Sequence, residues 1–189
     1  MKQAIVKLES TSTYSQSKYI DKEQNPRLKK ELDDAYEKRI WREKMHSDGE
    51  GYVIIPNNQF LNSLRESAKY LSIKVPGKGS NLYTKHFDAG VVTMGHIKLP
   101  IRKEECDYIR LMVPSDGKVG GTKRVPKCFP IIPSWKGEVT FTILDDIITP
   151  DIFEQVLVNA GQLIGIGYWR PIKRGQYGRY KITDMKWIE

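Results

Sequence analysis

The residues best suited to chemistry occupy one segment, Gly165–Lys181, which mixes glycines, cations and aromatic rings. The segment reads GIGYWRPIKRGQYGRYK and contains no acidic residue. Glycines let a ligand approach the backbone closely, cationic side chains bind phosphates, and aromatic rings stack on unpaired bases. The combination predicts a glycine-hinged basic loop that binds a phosphate-bearing partner, and it is typical of proteins that bind single-stranded nucleic acid. The residues that we assign to binding in this loop are Arg170, Lys173, Arg174, Arg179, Lys181, Gly165, Gly167, Tyr168 and Tyr177.

Two further aromatic residues of this loop, Trp169 and Tyr180, are interleaved with the cations. Trp169 has two alternative roles, packing in the core, which we favour, or stacking on a base. The whole loop also has a plainer interpretation, in which Trp169 packs in the core and the cations are merely solvated. No nucleotide cofactor is predicted, because Gly165-Ile166-Gly167 follows a helical pattern and precedes a strand, whereas phosphate-binding glycine motifs follow a strand and precede a helix.

A second basic segment, Pro114–Pro133, reads PSDGKVGGTKRVPKCFPIIP and has neither helical nor alternating periodicity. Its three glycines and four prolines predict a long flexible insertion, and such loops inside a compact domain are usually functional or disordered. The segment is either a solvated surface loop or an arm that orders on a nucleic-acid strand or a neighbouring subunit. Its cations are Lys118, Lys123, Arg124 and Lys127. We expect the same surface to be extended by Lys74, Lys78 and Lys85.

Residue patterns for catalysis or metal binding are weak in this sequence. No HExxH, GxSxG or CxxC motif occurs, and no ligand spacing relates the three histidines, which are His46, His86 and His96. His86, with Asp88 nearby, leaves one alternative open, the cleavage of RNA by a lone histidine acting as a general base. Asp145 and Asp146 end a predicted strand, where adjacent side chains point to opposite faces, so we expect a turn rather than a magnesium site. The protein is therefore not predicted to be an enzyme.

The composition is that of an ordinary globular protein. The 189 residues are 39% hydrophobic and 29% charged, which suits one domain with its own core. The 31 basic and 23 acidic side chains give a formal net charge of +8, which favours polyanionic partners without deciding the fold. No apolar run is long enough to span a bilayer, and the apolar stretch after Lys2 is broken. We therefore expect neither a membrane span nor a signal peptide, and a cytoplasmic location.

Hydrophobic periodicity divides the chain into strands and helices. Strands are predicted at Ala4–Glu9, Tyr52–Ile55, Phe87–Leu99, Asp107–Val113, Gly137–Leu144 and Tyr177–Ile188. Helices are predicted at Pro26–Met45, from Asn57 through Leu71, and after the cap Thr149-Pro150-Asp151. Strand-helix-strand units that feed a mixed sheet predict a single α+β domain over residues 1–189. We expect a ferredoxin-like core with a flexible basic insertion at 114–133 and a C-terminal glycine-rich loop.

Two stretches of the sequence resemble known proteins. The stretch Ile148–Ile182, ITPDIFEQVLVNAGQLIGIGYWRPIKRGQYGRYKI, resembles the terminal helix, glycine-rich loop and strand of the RAMP superfamily, the CRISPR-associated RNA-binding proteins. Within that superfamily, this stretch is most similar in its residue pattern to the backbone subunits that polymerise along guide RNA. It is also similar to uncharacterised phage proteins with an ending like AGxxxGxGxxRPxxxGxYGRF, matched here by Ala160, Gly161, Gly165, Gly167, Arg170, Pro171, Gly175, Tyr177, Gly178 and Arg179. Their helix of the form IPxxxFxxxLxxAAK is matched by Ile55, Pro56, Phe60, Leu64, Ala68 and Lys69.

The resemblance implies an RRM-like, ferredoxin-type core that binds single strands without catalysis. It also implies that Pro114–Pro133 corresponds to a thumb-like finger that contacts nucleic acid or the adjacent subunit. The implied partners are single-stranded RNA or DNA, and further copies of the chain or other subunits in a homo-oligomer or larger ribonucleoprotein; no membrane partner is expected. Two alternatives stay open, a metal-independent endoribonuclease on the same fold and a phage interaction or inhibitor protein whose basic surface binds an acidic partner.

Overall fold

The structure, a computed structural model, describes residues 2–117 and 121–189, so Lys118 of the second basic segment lies outside the described residues. The strands are β1 (Lys2–Ser10), β2 (Tyr14–Ser15), β3 (Tyr52–Pro56), β4 (Val91–Thr93), β5 (His96–Arg102), β6 (Asp107–Pro114), β7 (Arg124–Ile132), β8 (Lys136–Ile143) and β9 (Tyr180–Ile188). The helices are α1 (Asp33–Ile40), α2 (Asn58–Leu71), α3 (Thr84–Gly90) and α4 (Pro150–Asn159). Short 3-10 turns lie at Trp41–Lys44, Lys103–Glu105 and Pro171–Lys173, and a π-helical turn lies at Ala160–Ile164. Within the described ranges, no helix has the length and apolar content needed to cross a bilayer.

The core is built on a four-stranded antiparallel sheet with the order β4-β8-β1-β9. In β1 the buried Ala4, Val6 and Leu8 alternate with residues that point to the other face, as a half-buried strand requires. Helices α2 and α4 cover the buried face, where Phe153 of α4 packs edge-to-face on Phe141 of β8 with ring centroids 5.4 Å apart. The structure is therefore a mixture of helices and antiparallel sheets, which agrees with the predicted α+β class.

Strands β6 and β7 form an antiparallel hairpin, and β2 extends it into a three-stranded sheet, while β3 and β5 form a separate pair. Strand β7 lies inside Pro114–Pro133, where the sequence predicted an irregular, flexible insertion. The sequence did not predict this strand because it contains Pro126 and Pro130, and proline has no N–H to donate to a neighbouring strand. Proline is nevertheless tolerated in a strand where one of its two edges is unpaired. Here β2 pairs with that edge only at Ile131 and Ile132.

The strand predicted over Phe87–Leu99 is replaced by the end of α3 followed by β4 and the first part of β5. Phe87 is fully buried in α3 and stacks on Phe153 of α4 with ring centroids 6.4 Å apart. At the end of α3, a Cβ added to Gly90 would lie 2.5 Å from the Cβ of Asp145, so the helix is pressed against the turn after β8. Both contacts join residues far apart in the chain, and the local periodicity of the sequence cannot predict such contacts.

Helix α1 starts at Asp33, whereas the sequence predicted a start at Pro26. The residues before it follow an irregular path that Tyr36 of α1 organises. The guanidinium groups of Arg27 and Arg39 lie 5.0 and 5.4 Å from the centroid of the Tyr36 ring. The Arg27 contact, together with the hydrogen bond from the Tyr36 hydroxyl to the Asn25 carbonyl at 2.9 Å, stabilises the non-helical path of the chain, so the proline at 26 is not the first residue of the helix.

Glu31 holds this irregular segment through its carboxylate. Arg39 donates to the two carboxylate oxygens at 2.8 and 2.9 Å, the Leu28 N–H donates at 2.9 Å, and these bonds lower the pKa of Glu31 to about 2. A lowered pKa in the folded state gives stability that is present above the unfolded pKa of about 4.3 and lost as the pH falls towards 2. We therefore expect the melting temperature to fall over this window, and Glu31→Gln to remove part of that fall.

Thermal melts followed by circular dichroism from about pH 6 to about pH 2.5 measure this effect. Glu23→Gln is the matched control, since Glu23 is an exposed carboxylate in the same segment. If wild type and Glu31→Gln lose melting temperature in parallel as the pH falls, the carboxylate of Glu31 does not contribute as expected.

Candidate nucleic-acid interface

A groove of about 690 Å³ lies between the β6–β7 hairpin and the glycine-rich loop. The hairpin lines it with Leu111, Met112, Val113, Pro114, Gly117 and Arg124, and the loop lines it with Gly167, Tyr168, Trp169, Arg170 and Lys173. None of these described lining residues is acidic. The two basic segments singled out in the sequence, which β8 and α4 separate in the chain, therefore meet across one groove.

The loop is held in place by backbone hydrogen bonds to the chain around β2. The Gly178 N–H donates to the Thr13 carbonyl at 2.7 Å, and the Tyr168 N–H donates to the Ser15 carbonyl at 2.8 Å. The Ile166 N–H donates to the Gly178 carbonyl at 2.9 Å and closes the loop on itself. Because β2 also pairs with β7 of the hairpin, this short segment joins the two walls of the groove.

Gly167 and Gly178 permit this close packing. Their φ angles are +75° and +77°, which residues with a Cβ rarely adopt. A Cβ would lie 2.2 Å from the Ser15 oxygen at Gly167 and 1.9 Å from the Ile166 oxygen at Gly178. These glycines therefore allow two backbone segments to touch, and only Gly167 also lines the groove. Gly165, at the end of the π-helical turn, is not among the described lining residues.

Four of the predicted cations that lie at or next to the groove are exposed. Arg124 and Lys173 line it, one from each wall, and both are exposed. Their chain neighbours Lys123 and Arg174 are exposed as well. The described lining residues include none of Lys74, Lys78 and Lys85. The positive charge available to a ligand in the groove therefore comes first from Arg124 and Lys173.

Arg124 donates to the Met112 carbonyl, and three other predicted cations also bind groups of the protein itself. Arg170 lines the groove, but its Nη2 lies 3.0 Å from Glu66 Oε2 of α2. Arg179 donates to a backbone carbonyl of the π-helical turn at 3.1 Å. Lys181 lies on β9, outside the groove, with its Nζ 3.9 Å from Glu9 Oε2. The assignment of these three residues to nucleic-acid contact stays a prediction.

Lys127 belongs to a buried charge cluster. Glu37 of α1, whose side chain is 3% exposed, accepts from the Nζ of Lys127 and the Nζ of Lys44, both at 2.6 Å. The Cys128 N–H donates to the same carboxylate at 3.1 Å. Burial opposes the ionisation of Glu37, but the hydrogen bonds from the two lysines outweigh it and keep its pKa below the ordinary value. The cluster fastens α1 to β7 and so holds one wall of the groove.

The aromatic residues of the loop occupy different environments. Tyr168 stacks on Phe129 of β7 with ring centroids 3.7 Å apart, and burial raises the pKa of its hydroxyl. Tyr180 is buried in the core, where burial also raises its pKa. Trp169, for which the sequence favoured the core, is half-buried and lines the groove, with its ring edge-to-face on Tyr177 at 5.0 Å. Trp169 is thus a groove residue that the predicted set of binding residues lacks. Its position in the sequence next to cationic residues is the feature that could have identified it.

The described lining residues include no histidine. His86 Nδ1 lies 2.6 Å from Asp145 Oδ2, so the hydrogen-bond partner of this nitrogen is a residue of the turn after β8 and not Asp88. The other ring nitrogen, Nε2, is buried without a hydrogen-bond partner in the described part of the chain. Asp145 also accepts from the Ile147 N–H at 3.0 Å, which forms the turn that the sequence predicted. General-base chemistry at His86 stays an untested hypothesis.

The face of the four-stranded sheet opposite α2 and α4 is open to solvent and nearly balanced in charge. Lys7 pairs with Asp184 across the β1–β9 ladder at 3.0 Å. The residues on this face of β1, β8 and β9 are Gln3, Ile5, Lys7, Glu9, Lys136, Glu138, Thr140, Thr142, Lys181, Asp184, Lys186 and Ile188. None of these described residues is aromatic, whereas RRM sheets bind RNA through aromatic rings on this surface. The groove, and not the sheet face, offers groups for stacking.

No protein-family model matches the sequence, and no curated protein matches it. Among solved structures, the crystal structure of Cmr6 from Pyrococcus furiosus is similar over 97% of this chain and 98% of that chain, with a TM-score of 0.50 and 15% sequence identity. At this identity the likeness shows the fold alone. It supports a RAMP-like fold, as the resemblance of the C-terminal helix, loop and strand predicted.

Proposed function

We propose that the protein binds single-stranded nucleic acid, without cleaving it, in the groove between the β6–β7 hairpin and the glycine-rich loop. The observation that carries the proposal is the meeting of two basic segments across a groove whose described lining residues include no acid. Arg124 on one wall and Lys173 on the other supply the positive charge that phosphates require. The resemblance to RAMP proteins supports RNA as the natural strand.

The size and lining of the groove favour unpaired nucleotides over a duplex. Its volume of about 690 Å³ falls in the range of roughly 300–1,000 Å³ that is typical of sites for small ligands. Strand β6 lines one wall with three apolar residues, Leu111, Met112 and Val113. An apolar wall suits the face of an unpaired base, while a duplex presents only base edges and phosphates to a protein.

The order of the elements supports a ferredoxin-like core beneath this site. In chain order, β1, α2, β4, β8, α4 and β9 follow the β-α-β-β-α-β pattern of that core, and their sheet order is β4-β8-β1-β9. The β6–β7 hairpin then lies in the connection between the second and third strands of the pattern, β4 and β8. We infer that it is the elaboration of the core that supplies one wall of the binding site.

Removing the two groove cations together, as Arg124→Gln with Lys173→Ala, is expected to weaken oligonucleotide binding on the order of tenfold. Glutamine at 124 keeps an amide donor for the Met112 carbonyl, to which Arg124 Nη1 donates at 3.0 Å. The slope of log affinity against log salt is expected to fall by about 0.7 for each phosphate that the variant no longer neutralises. Fluorescence anisotropy with labelled RNA and DNA strands over a salt series measures both quantities, and a denaturing gel shows whether the strands stay intact.

The matched control removes two cations from the open sheet face, as Lys136→Ala with Lys186→Ala, and changes the net charge by the same amount. Its affinity and salt slope are expected to stay close to those of the wild type. An equal loss in the two double variants would show that binding is non-specific or lies on the sheet face. Failure of the wild type to bind any oligonucleotide at low salt would instead favour an acidic protein as the partner.

A further inference from the structure

We propose that Trp169 is the base-stacking residue of the groove, so that the site recognises nucleobases as well as phosphates. This inference rests on the proposed function and adds a named contact to it. The occupant is an unpaired base of the bound strand, lying between the Trp169 indole and the apolar wall of β6. Stacking tolerates every base, because each base has a π-face, so the contact gives affinity without sequence preference.

The position of Trp169 separates it from the other tryptophans of the chain. Trp41 and Trp135 are 3% and 4% exposed and belong to the core, and Trp187 packs against Phe153 of α4. Trp169 is half-buried and lines the groove, and the other wall includes Leu111 and Val113 of β6. The groove therefore combines one large ring with apolar residues of β6, and Arg124 and Lys173 line it as well.

The backbone of Trp169 is held in a conformation that its residue type disfavours. Its φ is +55°, in the left-handed region where a residue with a Cβ is strained. The Tyr177 N–H donates to the Trp169 carbonyl at 3.1 Å, and a Cβ on Gly175 would lie 1.7 Å from that carbonyl oxygen. Strained backbone that surrounding contacts enforce is concentrated at functional sites, and here the strain sets the direction of a groove-lining indole.

The other aromatic rings of the loop already pack against residues of the protein. Tyr168 already stacks on Phe129, Tyr180 is buried in the core, and Tyr177 packs edge-to-face on Trp169 itself. Tyr177 therefore supports the indole, since it fixes one side of the ring and leaves less freedom for the rotamer. A ring that is fixed before binding loses little conformational freedom when a base stacks on it.

The test compares a mixed-sequence single strand with an abasic strand that carries the same number of phosphates. Wild type is expected to bind the strand with bases on the order of 5- to 150-fold more tightly, the effect of one stacked base. Trp169→Leu is expected to remove this preference and to keep the salt slope, while Trp169→Phe keeps part of it. Tyr19→Leu is the control, because Tyr19 is 84% exposed and is not among the described lining residues.

Circular dichroism melts of each variant show whether it folds. A second measurement needs no variant: a strand carrying 5-iodouracil is photo-crosslinked to the wild type, and the attached peptide is expected to contain Trp169. Equal affinity of wild type for the two strands, or crosslinks confined to the sheet face, would overturn the inference and leave phosphate binding in the groove standing. Failure of wild type to bind either strand would overturn the proposed function together with the inference.

Discussion

Glu37→Ala is expected to lower the free energy of unfolding by about 3–5 kcal/mol, the usual cost of removing one partner from a buried ion pair. The Lys44 side chain is 8% exposed, and its ammonium group donates to Glu37 and to the Cys128 carbonyl. Burial lowers the pKa of Lys44, and the carboxylate of Glu37 opposes that effect. Without Glu37, the ammonium must stay charged in a buried site or lose its proton, and both outcomes destabilise the fold.

Urea denaturation followed by circular dichroism measures this loss. Asp34→Ala is the matched control, because Asp34 is an acid of the same helix whose ion pairs with Lys38 and Arg110 are partly exposed to solvent. A double variant, Glu37→Leu with Lys44→Met, is expected to lose less than the sum of the single changes, since it leaves no buried ammonium without its carboxylate. Lys127 also loses its partner, but its side chain is 41% exposed and water can solvate it. If Glu37→Ala and Asp34→Ala cost the same, the cluster does not fasten α1 to β7 as the geometry indicates.

Gly178→Ala is the second change with a large expected effect, on both stability and binding. The left-handed backbone alone costs about 1–3 kcal/mol for an alanine. The new Cβ would also lie 1.9 Å from the Ile166 oxygen, so the two parts of the loop that the Ile166–Gly178 hydrogen bond joins must move apart. Because Gly178 donates to Thr13, that movement disturbs the link between the loop and the hairpin wall. We expect oligonucleotide affinity to fall together with stability.

Gly77→Ala separates the two causes, because Gly77 has φ +70° but no described atom within 4 Å of an added Cβ. It therefore carries the backbone strain without the collision. Melting curves and anisotropy titrations of both variants should show a larger loss of stability for Gly178→Ala, and a loss of affinity in that variant alone. Equal effects would mean that the close approach of Ile166 and Gly178 does not matter for the groove.

Elements with a strong local signal were predicted well from the sequence. Strand β8 lies within one residue of the predicted Gly137–Leu144, and α4 begins after Thr149, whose hydroxyl accepts from the Ile152 N–H at 3.4 Å. Both signals are local, an alternating strand and a capped helix start with proline at its first position. Strand β9 begins at Tyr180 rather than Tyr177 because the glycine-rich loop folds back on itself first.

Elements that depend on distant contacts were predicted poorly. Strand β7 contains two prolines, and its pairing with β6 over most of its length makes it a strand. Helix α3 owes its place to Phe153 and Asp145, which follow it by more than fifty residues in the sequence. In both cases tertiary contacts override local propensity, and composition alone therefore indicated a loop or the wrong element.

The candidate site shows the same division. The sequence identified both basic segments, but it could not predict that they share a groove, because β8, α4 and the bonds to β2 bring them together. Nor could it predict which cations are already bound, since Arg170 pairs with Glu66 and Lys127 with Glu37 across long sequence separations. Residue type predicts the chemistry of a site, whereas the fold decides which of its groups remain available to a ligand.

The interior position of β1 has a consequence for the synthesis of the chain. The ribosome makes β1 well before both of its neighbours in the sheet, which begin at Lys136 and Tyr180. Until those residues have been added, β1 has both hydrogen-bonding edges unpaired, and such edges attract other strands. Completion of the sheet must wait for β9, and pairings between such distant segments also form slowly. The nascent polypeptide therefore needs protection from aggregation for longer than one in which β1 pairs with the strand that follows it.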